Sequence, residues 1–171
     1  MNARLADIEL LILDVDGVLT QGDIIYADDG SQLKIFNVKD GLGLRMLMDA
    51  GIETAIITGR SAGALNARVK NLGIPTLMDG VSDKAVALDE LAKKTGIPKE
   101  KMAIIGDDLP DLPVMRRVGI SIAVADAAAE VRCFADITTA RSGGQGAVRE
   151  LCEAILKAKG LWAETLARYN R

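Results

Sequence analysis

Two aspartates follow directly on a short apolar stretch near the start of the chain. Residues 10–13 read Leu-Leu-Ile-Leu, and Asp14, Asp16 and Gly17 come immediately after them. An uncharged apolar run is typical of a strand that a parallel sheet covers on both faces. Side chains two apart on an extended strand project to the same side, with Cα atoms roughly 6.6 Å apart. Carboxylates held in this way can enclose a phosphoryl group and a metal ion, although a strand that ends in a solvated aspartate turn carries the same residues.

Further residues that could bind a phosphate or a metal follow two later apolar runs and lie at the start of one predicted helix. They are Thr58, Gly59 and Arg60 after the run 52–57, Lys84 in the first turn of a helix, and Asp107, Asp108 and Asp111 after the run 102–105. Ligands of open α/β sheets bind beyond the carboxyl ends of the strands, so we expect these groups to converge at one edge. Taken singly, each of these residues is more often a helix cap or a surface charge, and it is their convergence that is specific.

The set predicts phosphoryl transfer to an aspartate. All-oxygen ligation suits Mg²⁺, and the metal with Lys84 would offset the repulsion between an anionic nucleophile and a phosphate. Asp14 is the expected nucleophile, which forms an aspartyl-phosphate. Asp16 would protonate the leaving oxygen and later deprotonate water, while Thr58, Gly59 and Lys84 hold the phosphate.

The composition narrows the possible chemistry and partners. The 171 residues are 49% hydrophobic and 26% charged, with a net charge of −3, which fits one domain over residues 1–171 and predicts neither a nucleic-acid nor a membrane partner. The chain has no histidine, which excludes Ser-His and Cys-His nucleophile pairs and His-ligated zinc. We expect Cys133 and Cys152 to be packed, reduced thiols of a cytoplasmic protein without a leader peptide.

Strand and helix patterns alternate along the whole chain, with short connections between them. This alternation predicts an α/β fold with a doubly wound, mainly parallel sheet and no second domain. An apolar hairpin is expected over residues 22–36, and Asp40 is expected to cap the helix after it. Residues 143–146, rich in glycine, are expected to form a mobile loop. An amphipathic tail over residues 160–171 follows the last long helical stripe.

The ordered motifs resemble those of the haloacid dehalogenase-like phosphatases. They are Asp14-Val15-Asp16-Gly17-Val18, Thr58-Gly59-Arg60, Lys84 and Gly106-Asp107-Asp108-Leu109-Pro110-Asp111. Nearly the whole chain resembles the 3-deoxy-D-manno-octulosonate 8-phosphate (KDO 8-phosphate) phosphatases, through Asp16–Thr20, Phe36–Gly41, Ile56–Ser61, Leu112–Gly119 and Gly143–Glu150.

The resemblance implies a Mg²⁺-dependent, cytoplasmic, homotetrameric enzyme of lipopolysaccharide precursor synthesis that lacks a cap domain. It implies that Asp14, Asp16 and Asp107 bind the metal, Asp16 through its backbone carbonyl, with Asp108 and Asp111 beside them. It further implies that the substrate is bound by Arg60, Lys39, Asp40, Gly143, Gly144 and Gln145. A neighbouring subunit would close the site, with the hairpin and the tail at the interface.

Two departures from the family pattern bear on the substrate. Ala127-Ala128 stands where the family often has His-Pro, and Gln145 stands where it usually has Arg. An arginine forms a bidentate clamp on a carboxylate and a glutamine does not. A phosphatase for a nine-carbon sialic-type sugar 9-phosphate is therefore an alternative, although that class tends to carry Glu at the position of Arg60.

Two non-enzymatic alternatives stay open at this point. A phospho-aspartate signalling receiver uses similar groups, but its acceptor lies on a middle strand and its lysine follows a late one, an order that disagrees with Lys84 preceding Asp107. An inactive phosphatase fold kept as a scaffold is disfavoured because every functional group that the reaction needs is present. Turnover of a phosphate ester separates both from an enzyme.

Overall fold

The structure is a computed structural model that describes residues 3–170. Its helices and strands alternate as the sequence predicts. In chain order they are β1 (Leu10–Leu13), β2 (Ile25–Tyr26), β3 (Gln32–Leu33), α1 (Val38–Asp49), β4 (Glu53–Ile57), α2 (Gly63–Leu72), β5 (Thr76–Met78), α3 (Lys84–Thr95), β6 (Met102–Gly106), α4 (Leu112–Met115), β7 (Ile120–Ala123), α5 (Ala129–Phe134), β8 (Ile137–Thr138), α6 (Ala147–Ala158) and α7 (Trp162–Ala167). Short 3₁₀ turns lie at Ala3–Asp7, Lys99–Lys101 and Leu109–Asp111.

Six strands form one parallel sheet in the order β5-β4-β1-β6-β7-β8. The four residues of β1 at its centre are fully buried, as expected for a strand covered by helices on both faces. Because the strands are parallel, β1, β4 and β6 deliver the residues that follow them to one edge. The doubly wound α/β prediction is confirmed, and a cap domain is not evident between the described elements.

The predicted hairpin is present, with strands shorter than its apolar pattern suggests. β2 and β3 pair antiparallel over two residues each and form a separate small sheet. Tyr26, Leu33 and Ile35 on it are 61%, 55% and 69% exposed. A hairpin of this size is marginal alone in water, and within the single chain these apolar side chains are largely exposed to solvent.

Helix α1 begins three residues earlier than predicted. Asn37 is its N-cap, with a side-chain oxygen that accepts from the Lys39 N–H at 2.8 Å. Asp40, the expected cap, lies inside the first turn and is buried. Both residue types make good caps, and Asp40 is engaged elsewhere.

The two cysteines differ in their surroundings. Cys152 is buried in α6, as expected, but Cys133 is exposed, so its predicted packing is wrong. Over residues 3–170, helices of sufficient length and apolar character to cross a bilayer are absent.

Candidate active site

A cleft of about 760 Å³ opens at the carboxyl edge of β1, β4 and β6. The residues that line it come from the loops after these strands and from the start of α3. They are Asp14, Asp16, Gly22, Thr58, Gly59, Arg60, Val81, Ser82, Asp83, Lys84, Asp107, Asp108, Pro110, Asp111 and Pro113. The structure therefore gathers the residues of all four predicted motifs in one place.

Lys84 lies between two carboxylates at the bottom of this cleft. Its Nζ donates to Asp14 Oδ1 at 2.6 Å and to Asp111 Oδ1 at 2.7 Å. The three side chains are at most 8% exposed. Asp83 caps α3 by accepting from two backbone N–H groups, so Lys84 is held in the first turn, facing the end of β1. Burial lowers the pKa of Lys84, but the charges of Asp14 and Asp111 outweigh burial and the pKa is raised, which keeps the ammonium charged.

Three carboxylates meet beside this lysine. One oxygen from each of Asp14, Asp107 and Asp111 lies within 4.8 Å of the others. Burial, and then the neighbouring negative charges, raise the pKa of Asp14 to about 6 and that of Asp107 to about 7. Asp111 Oδ2 also accepts from the Asp107 N–H at 3.0 Å, which fixes the loop after β6. Closely spaced carboxylate oxygens are the ligands that Mg²⁺ prefers, so the residues fit the ion.

The Asp16 carboxylate is not part of that cluster. Lys34, from the hairpin, forms an ion pair with Asp16 Oδ1, while Arg60 Nε lies 3.9 Å from Oδ2. Asp16 Oδ2 is buried and has no hydrogen-bond partner. Oδ1 of Asp16 is thus anchored by Lys34, while Oδ2 has no hydrogen bond.

Gly17 allows the acidic loops to approach one another. Its φ is +87°, and a Cβ built there would lie 2.0 Å from Asp107 Oδ2. A side chain at this position would displace Asp107 from the carboxylate cluster. The turn is further tied by Thr20, whose hydroxyl oxygen accepts from the N–H of Gly22 at 3.2 Å.

Thr58 and Arg60 occupy different depths of the cleft. Thr58 is buried, its N–H donates to Met78 O at 2.9 Å, and Val81 N–H donates to its carbonyl at 3.1 Å. Thr58 therefore lines the cleft from a fixed backbone, and its hydroxyl oxygen accepts from the Arg60 N–H at 3.5 Å. Arg60 is exposed at the rim, near Asp16, where a guanidinium can reach the sugar part of a phosphate ester.

Two residues predicted to bind substrate lie away from the cleft. Lys39 lines a separate cavity of about 670 Å³ together with Arg141 and Arg149. Asp40 is 1% exposed, and its Oδ1 accepts from the Arg149 N–H at 2.8 Å. Within the single chain, Asp40 holds the start of α6 rather than lining the pocket.

The glycine loop is anchored behind the cleft. Gly144 N–H donates to Val18 O at 2.8 Å, and Gly143 N–H donates to Asp126 Oδ1 at 2.9 Å. A Cβ at Gly143 would lie 1.6 Å from Gly17 O, so only glycine permits this approach. The loop over residues 143–146 is expected from the sequence to be mobile, but in the structure these hydrogen bonds hold it against the turn after Asp16. Gln145 is the exposed residue of this loop.

Sequence reasoning missed Lys34. It stands between Leu33 and Ile35, which are exposed, and its own side chain is 6% exposed. Alternation along an extended chain places neighbours on opposite faces. A lysine in the inward position of an apolar hairpin is the signal that could have identified it.

Comparison with known proteins agrees with this geometry. A sequence model of the haloacid dehalogenase-like hydrolase family matches residues 76–151. The 3-deoxy-D-manno-octulosonate 8-phosphate phosphatase KdsC of Escherichia coli K12 is 49% identical over 158 residues, which cover 92% of this chain and 84% of that protein.

Solved structures are similar over almost the whole chain. The 3-deoxy-D-manno-octulosonate 8-phosphate phosphatase of Moraxella catarrhalis, solved with magnesium, phosphate and KDO, is 45% identical, with a TM-score of 0.95 over 97% of this chain and 95% of that one. The cobalt-bound phosphatase YrbI of Haemophilus influenzae is 41% identical, with a TM-score of 0.92 over 96% of this chain and 99% of that one.

Proposed function

The chain belongs to the 3-deoxy-D-manno-octulosonate 8-phosphate phosphatases, within the haloacid dehalogenase-like hydrolases, and from this we propose how its residues hydrolyse that sugar phosphate. It is a Mg²⁺-dependent phosphatase that converts KDO 8-phosphate to KDO and phosphate. The observation that carries the mechanism is the position of Lys84 between Asp14 and Asp111, beside Asp107. With the enzyme class shown, the receiver and scaffold alternatives are set aside.

Asp14 is the nucleophile in this proposal. A carboxylate oxygen attacks phosphorus, the bond from phosphorus to the sugar oxygen breaks, and the phosphoryl group is carried on Asp14. Lys84, at 2.6 Å from Asp14 Oδ1, and the Thr58 hydroxyl hold the phosphoryl oxygens, with Gly59 giving close backbone approach. Their positive charge and hydrogen bonds act on negative charge that is concentrated in the transition state.

Asp16 moves the protons. Its Oδ2, which has no hydrogen bond, gives a proton to the departing sugar oxygen, which leaves as an alcohol. A water then attacks phosphorus, its proton passes to Asp16, and the bond to Asp14 breaks to release phosphate. The sum is one ester and one water in, one alcohol and one phosphate out.

Three chain groups would hold the metal ion: the carboxylates of Asp14 and Asp107 and the backbone carbonyl of Asp16. Asp111 would stabilise the arrangement through Lys84 and the Asp107 N–H, and Asp108 would lie beside it. Bound Mg²⁺ supplies positive charge that keeps these carboxylates ionised and neutralises phosphate oxygens.

Arg60, at the rim near Asp16, is the proposed contact for the sugar acid. Lys39, Gly143, Gly144 and Gln145 do not line the cleft of the single chain, so their proposed contacts with the substrate would form only when subunits assemble. Asp40 would contribute by holding the glycine loop, since its carboxylate is buried against α6.

The proposed assembly is a homotetramer in which the hairpin over residues 22–36 and the tail over 160–171 meet neighbouring subunits. The exposed side chains of Tyr26, Leu33 and Ile35 support this assembly.

Sedimentation of the wild type should give four times the 18.1 kDa chain mass, and Ile35→Lys should give smaller folded species. Val86→Lys, at an exposed apolar residue of α3, is the matched control. A monomeric wild type would remove subunit closure from the proposal.

We place the enzyme in the cytoplasm, in lipopolysaccharide precursor synthesis. Its two cysteines are free, which suits a reducing compartment. Recovery of the enzyme's activity in the periplasmic fraction of cells that make it would contradict this location.

The test of the function is a panel of sugar phosphates assayed with Mg²⁺ and with chelator, beside Asp14→Asn. Chelation and Asp14→Asn should each abolish turnover, and KDO 8-phosphate should have the highest kcat/KM. A higher value for a nine-carbon 9-phosphate would assign the alternative substrate. Comparable rates on hexose phosphates would indicate a broad scavenger.

A further inference from the structure

Lys34 is a buried cation on an exposed hairpin. Its side chain is 6% exposed, whereas its neighbours Leu33 and Ile35 are 55% and 69% exposed. Burying an ammonium group is costly unless a partner compensates for the lost hydration. The compensating partner is Asp16, the proposed proton donor of the reaction.

The hairpin is held where Lys34 can reach this partner. On its upstream side, the Gly22 N–H donates to the Thr20 hydroxyl at 3.2 Å. On its downstream side, the Asn37 side-chain amide donates to Gly144 O at 3.1 Å, and Arg68 donates to Asn37 O at 3.1 Å. Both ends are thus tied to the turn after Asp16 or to the loop that supports it.

The two oxygens of Asp16 have different surroundings. Lys34 pairs with Oδ1, while Oδ2 is buried without a hydrogen-bond partner and has Arg60 Nε 3.9 Å away. A free aspartate side chain could present either oxygen, and could rotate towards the carboxylates of Asp14 and Asp107. With Oδ1 held by Lys34, Oδ2 is the oxygen left without a hydrogen bond, in a residue that lines the cleft.

We propose that Lys34 is a positioning residue for the phosphatase reaction: it anchors Asp16 Oδ1 so that Oδ2 carries the proton to the leaving sugar oxygen. Lys34 does not touch the substrate in this proposal, since its side chain is committed to Asp16. The inference rests on the proposed role of Asp16 as proton donor.

Substrates with different leaving groups distinguish this positioning role from a merely structural one. An alkyl leaving oxygen, as in KDO 8-phosphate, needs a proton as its bond to phosphorus breaks, whereas p-nitrophenolate departs well without one. We therefore compare kcat/KM, which reports the step up to leaving-group departure, for KDO 8-phosphate and p-nitrophenyl phosphate. Lys34→Met should lower the value for KDO 8-phosphate by roughly 10- to 100-fold, within the range of general acid catalysis, and that for the aryl ester by less than about threefold.

Two further variants sharpen the comparison. Asp16→Asn should show the same asymmetry, and the double variant Asp16→Asn with Lys34→Met should be no slower than Asp16→Asn alone, because Lys34 acts through Asp16. Lys101→Met, which removes an exposed lysine paired with Glu9 at the opposite edge of the sheet, is the matched control. Lys34→Gln, which keeps most of the stem and a donor group but not the charge, should show a smaller asymmetry in the same direction, and it tests the role if Lys34→Met does not fold.

Several results would overturn the proposal. Equal losses on both esters would indicate general disruption, and a raised KM for KDO 8-phosphate with unchanged kcat would make Lys34 a substrate contact. A crystal structure of Lys34→Met with Asp16 in its original orientation would also contradict it. A wild-type enzyme inactive on KDO 8-phosphate would instead overturn the proposed function, which keeps the two failures distinct.

Discussion

Lys84 Nζ donates to Asp14 Oδ1 at 2.6 Å, with both side chains 8% exposed. The first residue of α3 and the residue after β1 are thereby joined across 70 positions of the chain. Asp111 shares the same ammonium at 2.7 Å. One lysine thus stabilises two buried carboxylates before any phosphate is bound, and it is already placed to receive one.

Removing this lysine should damage both folding and catalysis. Lys84→Met leaves Asp14 and Asp111 without their shared cation, which should cost about 3–5 kcal/mol of unfolding free energy at pH 8. It should also lower kcat by roughly 100- to 1000-fold, the usual effect of losing one stabilising group at a developing negative charge. Urea unfolding and steady-state assays measure the two effects.

The comparison for Lys84→Met is Lys94→Met in the last turn of the same helix, whose ammonium donates to the Thr76 hydroxyl. It should change both quantities little. Unfolding of Lys84→Met at the same urea concentration as the wild type would show that the buried pair does not stabilise the fold.

A methyl group at Gly17 should interfere with metal binding. The Cβ of Gly17→Ala would lie 2.0 Å from Asp107 Oδ2, so Asp107 must move away from Asp14. We expect Mg²⁺ affinity and kcat/KM each to fall at least about tenfold, the lower end of the loss seen when the groups that orient a metal ligand are changed. Titration calorimetry measures the affinity directly.

Gly51 shares the positive φ of Gly17, so Gly51→Ala carries the same backbone strain and provides a control for Gly17→Ala. Gly51 has φ +82° and no heavy atom within 4 Å of a built Cβ. Gly51→Ala should lose about 1 kcal/mol of stability and keep wild-type metal affinity. Equal metal affinities for the two variants would refute the steric argument.

The sequence predicts the residues at the strand ends better than the contacts between them. Asp14, Thr58 and Asp107 follow apolar runs long enough to be recognised as buried strands, and parallel strands place such residues at one edge. The pairing of Lys34 with Asp16 depends on where a short hairpin folds back. Strand periodicity indicates the inward side of that hairpin but does not identify the group it meets.

Helix α1 shows the same limit at a cap. Asn37 and Asp40 are both suitable N-cap residues by type, and local pattern does not choose between them. The choice is made by Arg149, more than a hundred residues later, whose N–H binds the Asp40 carboxylate. Local signals were sufficient to predict that a helix begins here, while the residue that caps it is decided by tertiary structure.

The carboxylate cluster should make the metal-free protein respond to pH through Asp107. Its pKa is raised from 3.8 to about 7, first by burial and then by the charges of Asp14 and Asp111. A carboxyl with a higher pKa in the folded chain binds more protons when folded, so its contribution to stability is present below 3.8 and is lost as pH rises through 7. Asp107→Asn removes that loss.

We therefore expect Asp107→Asn to be more stable than the wild type in chelator, with a difference that grows from pH 4.5 to pH 8. It should reach roughly 1–3 kcal/mol, less than the full pKa shift implies because Asp107 is partly exposed. Added Mg²⁺ should stabilise the wild type and not Asp107→Asn. Denaturation at several pH values measures the difference in unfolding free energy between Asp107→Asn and the wild type. A difference that does not change with pH would contradict the raised pKa of Asp107.

Asp40 should act as a long-range cap of α6. Its Oδ1 accepts from the Arg149 N–H at 2.8 Å, in the first turn of a helix whose own N-cap, Gly146, has no side chain to offer. Asp40→Ala should leave that turn unsatisfied and cost about 1–3 kcal/mol. Because the preceding glycine loop contacts the turn after Asp16, kcat should fall as well, whereas direct substrate binding by Asp40 would raise KM.

Asp49→Ala is the control for Asp40→Ala, at an exposed aspartate in the last turn of α1, and it should leave stability within about 0.5 kcal/mol of the wild type. Hydrogen exchange should then show faster exchange at residues 143–149 in Asp40→Ala alone, and equal protection in both variants would contradict the capping role.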